Sequence, residues 1–139
     1  MTKGLFHHIE IYVSDLKRST EFWGWFLEEL GYTTFQEWNG GQSWKLEDTY
    51  IVFVQTEERF LDVPYHRCRV GLNHLAFHAD SRQHVDEMLE KLNTKGINIL
   101  YEDKLAIGKP LKLSPAFPLL HTKDVPVSQH PALHLPIYN

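Results

Sequence analysis

The chain has a single cysteine, Cys68, among its 139 residues, so an intrachain disulfide and a cysteine-rich zinc site are both excluded, and a reducing, cytoplasmic location is the expectation. No apolar run approaches the roughly 18 residues that span a bilayer as a helix, and Met1-Thr2-Lys3-Gly4 does not open onto the apolar core of a secretory signal; no membrane partner is expected. Basic stretches interleaved with aromatics are missing too. The formal net charge is −4 and the pI about 6.1, so the electrostatic footprint of a nucleic-acid binder is absent and a small molecule is the expected partner. Glutamate disappears after residue 103: positions 104–139 hold one acid, Asp124, and six of the seven prolines.

Aromatic residues make up 13% of the chain and histidine occurs nine times, at 7, 8, 66, 74, 78, 84, 121, 130 and 134. A chain of this length hides roughly two-thirds of its unfolded surface on folding, enough for a core without covalent staples. Two segments align without a gap at an offset of 66, H-I-E-I-Y-V-S-D at 8–15 and H-L-A-F-H-A-D-S at 74–81. Each reads as a strand opening with histidine. Period-2 alternation puts Ile9, Ile11 and Val13, or Leu75, Phe77 and Ala79, on a face that should pack against a helix. His8, Glu10 and Tyr12, or His74, Ala76 and His78, fall on the other face.

A helix start follows each strand, with Ser14 or Asp15 as cap in the first copy and Asp80 or Ser81 in the second. Leu16, Ser19, Trp23, Phe26, Leu27 and Leu30 form a helical stripe ending at Gly31; Val85, Met88, Leu89 and Leu92 form its counterpart, ending at Gly96. The histidine-to-glycine distance is 23 residues in one copy and 22 in the other. Beyond the first helix, Tyr32–Trp38 predicts a strand, Asn39-Gly40-Gly41 a hairpin turn, Ser43–Leu46 its partner and Tyr50–Thr56 a further strand. The expected organisation is a strand-helix-strand-strand-strand module over residues 1–57, a linker at 58–70, a second module at 71–103 with a strand at Ile97–Glu102, and an atypical proline-rich tail at 104–139.

The ordered set L-F-H-H-I-E-I-Y-V-S-D-L-K-R-S-T-E-F-W at 5–23, L-G-Y at 30–32 and G-L-N-H-L-A-F-H-A-D at 71–80 resembles the vicinal oxygen chelate superfamily, which includes glyoxalase I, extradiol dioxygenases and the bleomycin and fosfomycin resistance proteins. The resemblance implies an α+β fold of two βαβββ modules whose curved mixed sheets form a cleft for one divalent metal ion (Zn, Ni, Fe or Mn), often in a homodimer. It further implies His8 and His74 as metal ligands. Two imidazoles and a carboxylate would leave positions for a substrate with adjacent oxygens, and the ion would act as a Lewis acid. Glu10 and His78 fall on the ligand face and are candidates for a group that hydrogen-bonds and orients a metal ligand or for a proton carrier, Glu10 being the catalytic candidate.

Other residues carry weaker signals. Some metal-binding relatives take a ligand from the fourth strand of module one, where Phe53 and Gln55 stand; Gln55 could contact metal or substrate through its amide or be a strand-end residue. In strict alternation His7 points away from the ligand face, and His84 belongs to the first turn of a helix. Trp23, Trp25, Trp38 and Trp44 are expected as core and interface mass.

The tail breaks the family pattern, in which a final leucine-glutamate-leucine strand supplies the carboxylate ligand. Residues 1–103 carry a net charge of −7 and 104–139 a net +3. Prolines at 110, 115, 118, 126, 131 and 136 allow only edge strands, such as Leu111–Leu113 or Leu133–Ile137. One expectation is that Ala132-Leu133-His134-Leu135 replaces the last strand, with His134 completing a three-histidine site. The other is that a shifted reading frame replaced the ending, which sequencing the locus for the missing strand in another frame would test. Three functions stay open: a metal-dependent lyase or transferase of glyoxalase type, a metal-free small-molecule or drug-binding protein, and an inactive relative lacking its carboxylate ligand.

Overall fold

The computed structural model describes residues 3–66, 68–97 and 132–135. The chain divides after Tyr65 into two compact units. That division falls beside Pro64, in a stretch whose apolar residues Phe60, Leu61 and Val63 are exposed, as is usual at a boundary between compact units. Among the described residues no helix is long and apolar enough to cross a membrane.

The first unit is α+β in the order β1 (His8–Val13), α1 (Leu16–Glu29), β2 (Thr33–Trp38), β3 (Gly41–Leu46) and β4 (Thr49–Gln55). Its strands form one mixed sheet in the order β1-β4-β3-β2, with β1 parallel to β4 and the other pairs antiparallel. The parallel pair requires a long crossover, which α1 and the two hairpins supply. Asn39-Gly40 turns β2 into β3, and Glu47-Asp48 turns β3 into β4, with Glu47 at a φ of 51°.

α1 is set by its ends and by one apolar stripe. Asp15 caps it, its carboxylate accepting from the Arg18 N–H at 3.0 Å. Trp23, Gly24, Phe26 and Leu27 are buried and pack on one face of the sheet, where Trp23 stacks on Phe53 with ring centroids 5.4 Å apart. The indole of Trp44 lies against Gly24, so close that a Cβ there would stand 2.8 Å from the ring. Thus Gly24, inside a helix where glycine costs stability, is the space that Trp44 fills.

In the second unit β5 (Leu75–His78) precedes α2 (Arg82–Thr94), and β6 (Ala132–Leu135) pairs antiparallel with β5. Ser81 caps α2 by accepting from the His84 N–H at 3.1 Å, and Val85, Met88 and Leu92 are its buried stripe. The duplication read from the sequence extends to the helix exits. Gly31 and Gly96 take left-handed φ values of 91° and 70°. In each copy the glycine N–H and the next N–H turn back onto the last helical turn: Gly31 to Glu28 and Tyr32 to Leu27, Gly96 to Asn93 and Ile97 to Leu92. Both helices therefore close with the same Schellman motif. The caps Asp15 and Ser81 are 66 positions apart and the glycines 65, because α1 has 14 residues and α2 has 13.

The expected strand at Ile97–Glu102 lies outside the described residues from 98 onward, as does Leu111–Leu113. β6 occupies the stretch proposed for a late strand, but it runs antiparallel to β5, whereas β4 runs parallel to β1.

Candidate functional site

α1 covers the Phe53 and Trp44 side of the first sheet; on the opposite face the β1 edge is exposed, whereas Val52 and Ser43 further in are buried. β1 presents His8, Glu10 and Tyr12 there as exposed residues, alternating with Ile9, Ile11 and Val13, of which the last two are buried. Parallel pairing sets His8 beside Tyr50, Glu10 beside Val52 and Tyr12 beside Val54, and β3 continues the rows with Lys45, Ser43 and Gly41. A register break between Thr34 and Gln36 is a bulge at an edge strand, a place where bulges commonly re-aim a side chain. Phe35, inside it, reaches the Tyr50 ring at 5.3 Å.

The resulting cluster is mostly aromatic. His8 stacks on Tyr50 at 4.7 Å with ring planes 5° apart, and His7 meets the same tyrosine edge-on at 5.3 Å. His7 Nδ1 and His8 Nδ1 are 2.9 Å apart, so one nitrogen donates to the other. Lys45 Nζ lies 5.0 Å from the centre of Phe35, a cation–π distance. Tyr12 and Trp38 remain 57% and 46% exposed, which leaves flat apolar surface with a polar edge available to a ligand.

Several expectations change here. His7 was placed on the far face by alternation, yet it precedes β1, so strand periodicity does not govern it, and its ring joins His8 and Tyr50. Trp23 and Trp44 are core, at 1% and 2% exposure, whereas Trp38 is on the surface because β2 is an edge strand with all six residues exposed. Phe53 is fully buried under α1. Gln55 is committed to the helix entrance: its Oε1 accepts from the Leu16 N–H at 2.9 Å, and its Nε2 donates to the Ser14 carbonyl at 2.8 Å and the Thr56 carbonyl at 3.2 Å. It serves as an extra cap for α1, not as a group on the ligand face.

In the second unit His74 immediately precedes β5 and is half-buried. Its Nδ1 donates to Asn73 Oδ1 at 2.7 Å. Ala76 and His78 are exposed in alternation with Leu75 and Phe77, as period-2 reading requires. His84 Nδ1 accepts from the Asp80 N–H at 3.3 Å, a local contact at the α2 entrance. The backbone of His134 pairs opposite Ala76; its side chain lies outside the description. Among the described residues no three of His, Cys, Asp and Glu gather as a metal site, so the described donors do not by themselves fit a divalent ion.

Sequence reading missed Tyr50 and Asn73. Tyr50 lies 42 positions from His8, and only strand register joins them. Asn73 was legible as the polar neighbour of His74, but nothing in its identity shows a side-chain bond.

Comparison with known proteins agrees with this architecture. Residues 7–109 match the model of the Glyoxalase/Bleomycin resistance protein/Dioxygenase superfamily. The chain is 61% identical over 98 residues to the uncharacterized protein YqjT of Bacillus subtilis (strain 168), covering 70% of this chain and 77% of the relative. It is 55% identical to a "putative glyoxalase" from Bacillus halodurans of known crystal structure, with a TM-score of 0.71 over 73% of this chain and 76% of that one. Lactoylglutathione lyase from Agrobacterium tumefaciens shares the fold at 17% identity, with a TM-score of 0.51 over 72% and 76% of the two chains. With the first module's topology and the repeated strand-helix unit in place, the chain belongs to the glyoxalase/bleomycin resistance protein/dioxygenase superfamily.

Proposed function

We propose that this protein is a glyoxalase-type lyase that takes its small-molecule substrate on the face of the first sheet turned away from α1. The observation that carries the reading is the β1-β4-β3 register, which sets His8 in line with Tyr50 and Lys45 and puts Glu10 and Tyr12 on the same side of β1, the side turned away from α1. The relative at 55% identity described as a "putative glyoxalase" supports the reading. Glu10, an exposed carboxylate on the same face as His8, is the group suited to accept a proton from carbon. The stack on Tyr50 holds the His8 ring in one orientation, and Lys45 supplies a positive charge for an anionic group of the substrate. His8 and His74 are the imidazoles the family resemblance assigns to a divalent ion, and a third donor would have to come from outside the described residues.

A second reading, a metal-free binding protein, is favoured by the exposed Tyr12 and Trp38 rings, which could hold a flat ligand by stacking alone. Metal analysis of protein purified without chelator or affinity metal separates the two. About one equivalent of ion, lost in both His8→Ala and His74→Ala, with lactoylglutathione lyase activity abolished by chelator and by Glu10→Gln, is the result expected of the lyase. No activity and no ion in any form, with bleomycin binding unaffected by chelator, refutes the lyase and leaves the binding protein.

A further inference from the structure

The irregularity in β2 has a structural cause and a neighbour it serves. Thr34 pairs with Trp44 and Gln36 with Ser43, the next residue along β3, so Phe35 is the extra residue of a bulge. A bulge takes backbone out of the ladder, and here the Gln36 N–H donates instead to Ser43 Oγ at 3.1 Å. Ser43 is fully buried, so the bulge and the buried hydroxyl satisfy each other. Held in this way, the Phe35 ring reaches Tyr50, the ring on which His8 stacks. Its centre is 5.0 Å from Lys45 Nζ. Lys45 is half-buried and forms no ion pair among the described residues, although Glu47 and Asp48 follow it closely in the chain.

We propose that Phe35 is a positioning residue: the bulge sets its ring against Lys45, and the ring holds the ammonium beside Tyr50 for the carboxylate or phosphate group of a ligand. The inference rests on the reading that a small molecule binds in the His8, Tyr50 and Lys45 row. A lysine carries its charge on a flexible four-carbon stem, and ordering that stem costs binding energy. An ammonium already resting over a ring loses less freedom when an anion arrives. With no carboxylate paired to it among the described residues, the charge is left for that anion, with which it would make a charge-assisted hydrogen bond.

The test without a ligand is the position of the Lys45 Hε resonances in ¹³C-labelled full-length protein, assigned with Lys45→Gln. Protons above a ring face are shielded, so these should lie upfield of the other lysines in the wild type and in Phe35→Tyr, and return to the common position in Phe35→Leu. A wild type without the upfield shift overturns the proposal whether or not Phe35→Leu folds. Acetate, inorganic phosphate and S-lactoylglutathione are then titrated in turn. A saturable shift at Lys45 with at least one of them tells carboxylate from phosphate; the affinity should fall by about 2- to 5-fold in Phe35→Leu and recover in Phe35→Tyr. No response at Lys45 to any of the three, or equal affinity in the wild type and Phe35→Leu, overturns the positioning role. Lactoylglutathione lyase kinetics separate this inference from the lyase reading. A KM raised by the same factor in Phe35→Leu, with kcat kept, supports both, whereas activity with KM unchanged overturns the inference and leaves the lyase. No activity, with the anion-dependent shift at Lys45 intact, refutes the lyase while the role of Phe35 stands.

Discussion

Substituting Gly24 by alanine sets two effects of known size against each other. Alanine is favoured over glycine in a helix interior by about 1 kcal/mol. The new methyl, however, would stand 2.8 Å from Trp44 Cζ2, with two more ring atoms at 3.4 and 3.6 Å. Ordinary contact begins near 3.4 Å, so the ring or the helix must move by about 0.6 Å in an interior packed as densely as a molecular crystal. Trp44 has little room to give: it is 2% exposed and meets Phe53 edge-on at 6.0 Å. Overpacking of this kind costs about 1–3 kcal/mol, so Gly24→Ala should lower stability by about 1 kcal/mol net, a fall in Tm of about 4–8 °C in a unit of this size. In a Trp44→Phe background the obstructing ring atoms are gone, and the same substitution should stabilise by about 0.5–1 kcal/mol. Trp44→Phe also removes an indole N–H that is buried without a partner among the described residues, so its own cost should fall below the usual core truncation of about 3–5 kcal/mol. The double-mutant cycle is read by urea unfolding followed by far-ultraviolet circular dichroism. Equal stabilisation by Gly24→Ala in both backgrounds would refute the packing argument.

Gln55→Ala should cost about 1–2 kcal/mol, because the Leu16 N–H and the Ser14 carbonyl lose a partner at the helix entrance; unchanged stability with altered ligand binding would instead return Gln55 to the ligand site. Burial raises the Tyr32 hydroxyl above its ordinary value of 10.0, so the folded state keeps its proton where the unfolded state has lost it. Stability from this group is complete below pH 10 and is lost as pH rises through the folded value, so the difference between wild type and Tyr32→Phe in urea midpoint should grow from about pH 10 up to the folded value and level off above it. Gly31→Ala and Gly96→Ala should each cost about 1 kcal/mol from backbone strain, since among the described residues a Cβ meets only Leu46 at 3.9 Å in the first and nothing within 4 Å in the second; a neutral result at either would break the equivalence of the two caps.

The sequence alone determined the local elements of the first unit and the repeat. Alternation in H-I-E-I-Y-V, the cap at Asp15, the stripe through Trp23 and Leu27 and the glycine at 31 are short-range signals, and each corresponds to a feature of β1, α1 or its exit. They were legible because strand pleat, capping and a left-handed φ depend on residues only a few positions apart. The family resemblance rode on the same segments.

Tertiary structure decided everything that depends on which strands lie side by side. Parallel pairing of β1 with β4 put Tyr50 under His8 and turned Phe53 and Gln55 toward α1. A shift of one residue in that register would have reversed the faces, and no local pattern fixes a pairing across more than forty residues. Edge position exposed Trp38 while a central strand buried Trp44, although both are tryptophans in strands of one hairpin. The direction of β6 beside β5 likewise follows from pairing and not from the composition of Ala132–Leu135. Local chemistry chose the elements; long-range hydrogen bonding and packing chose which of their side chains meet.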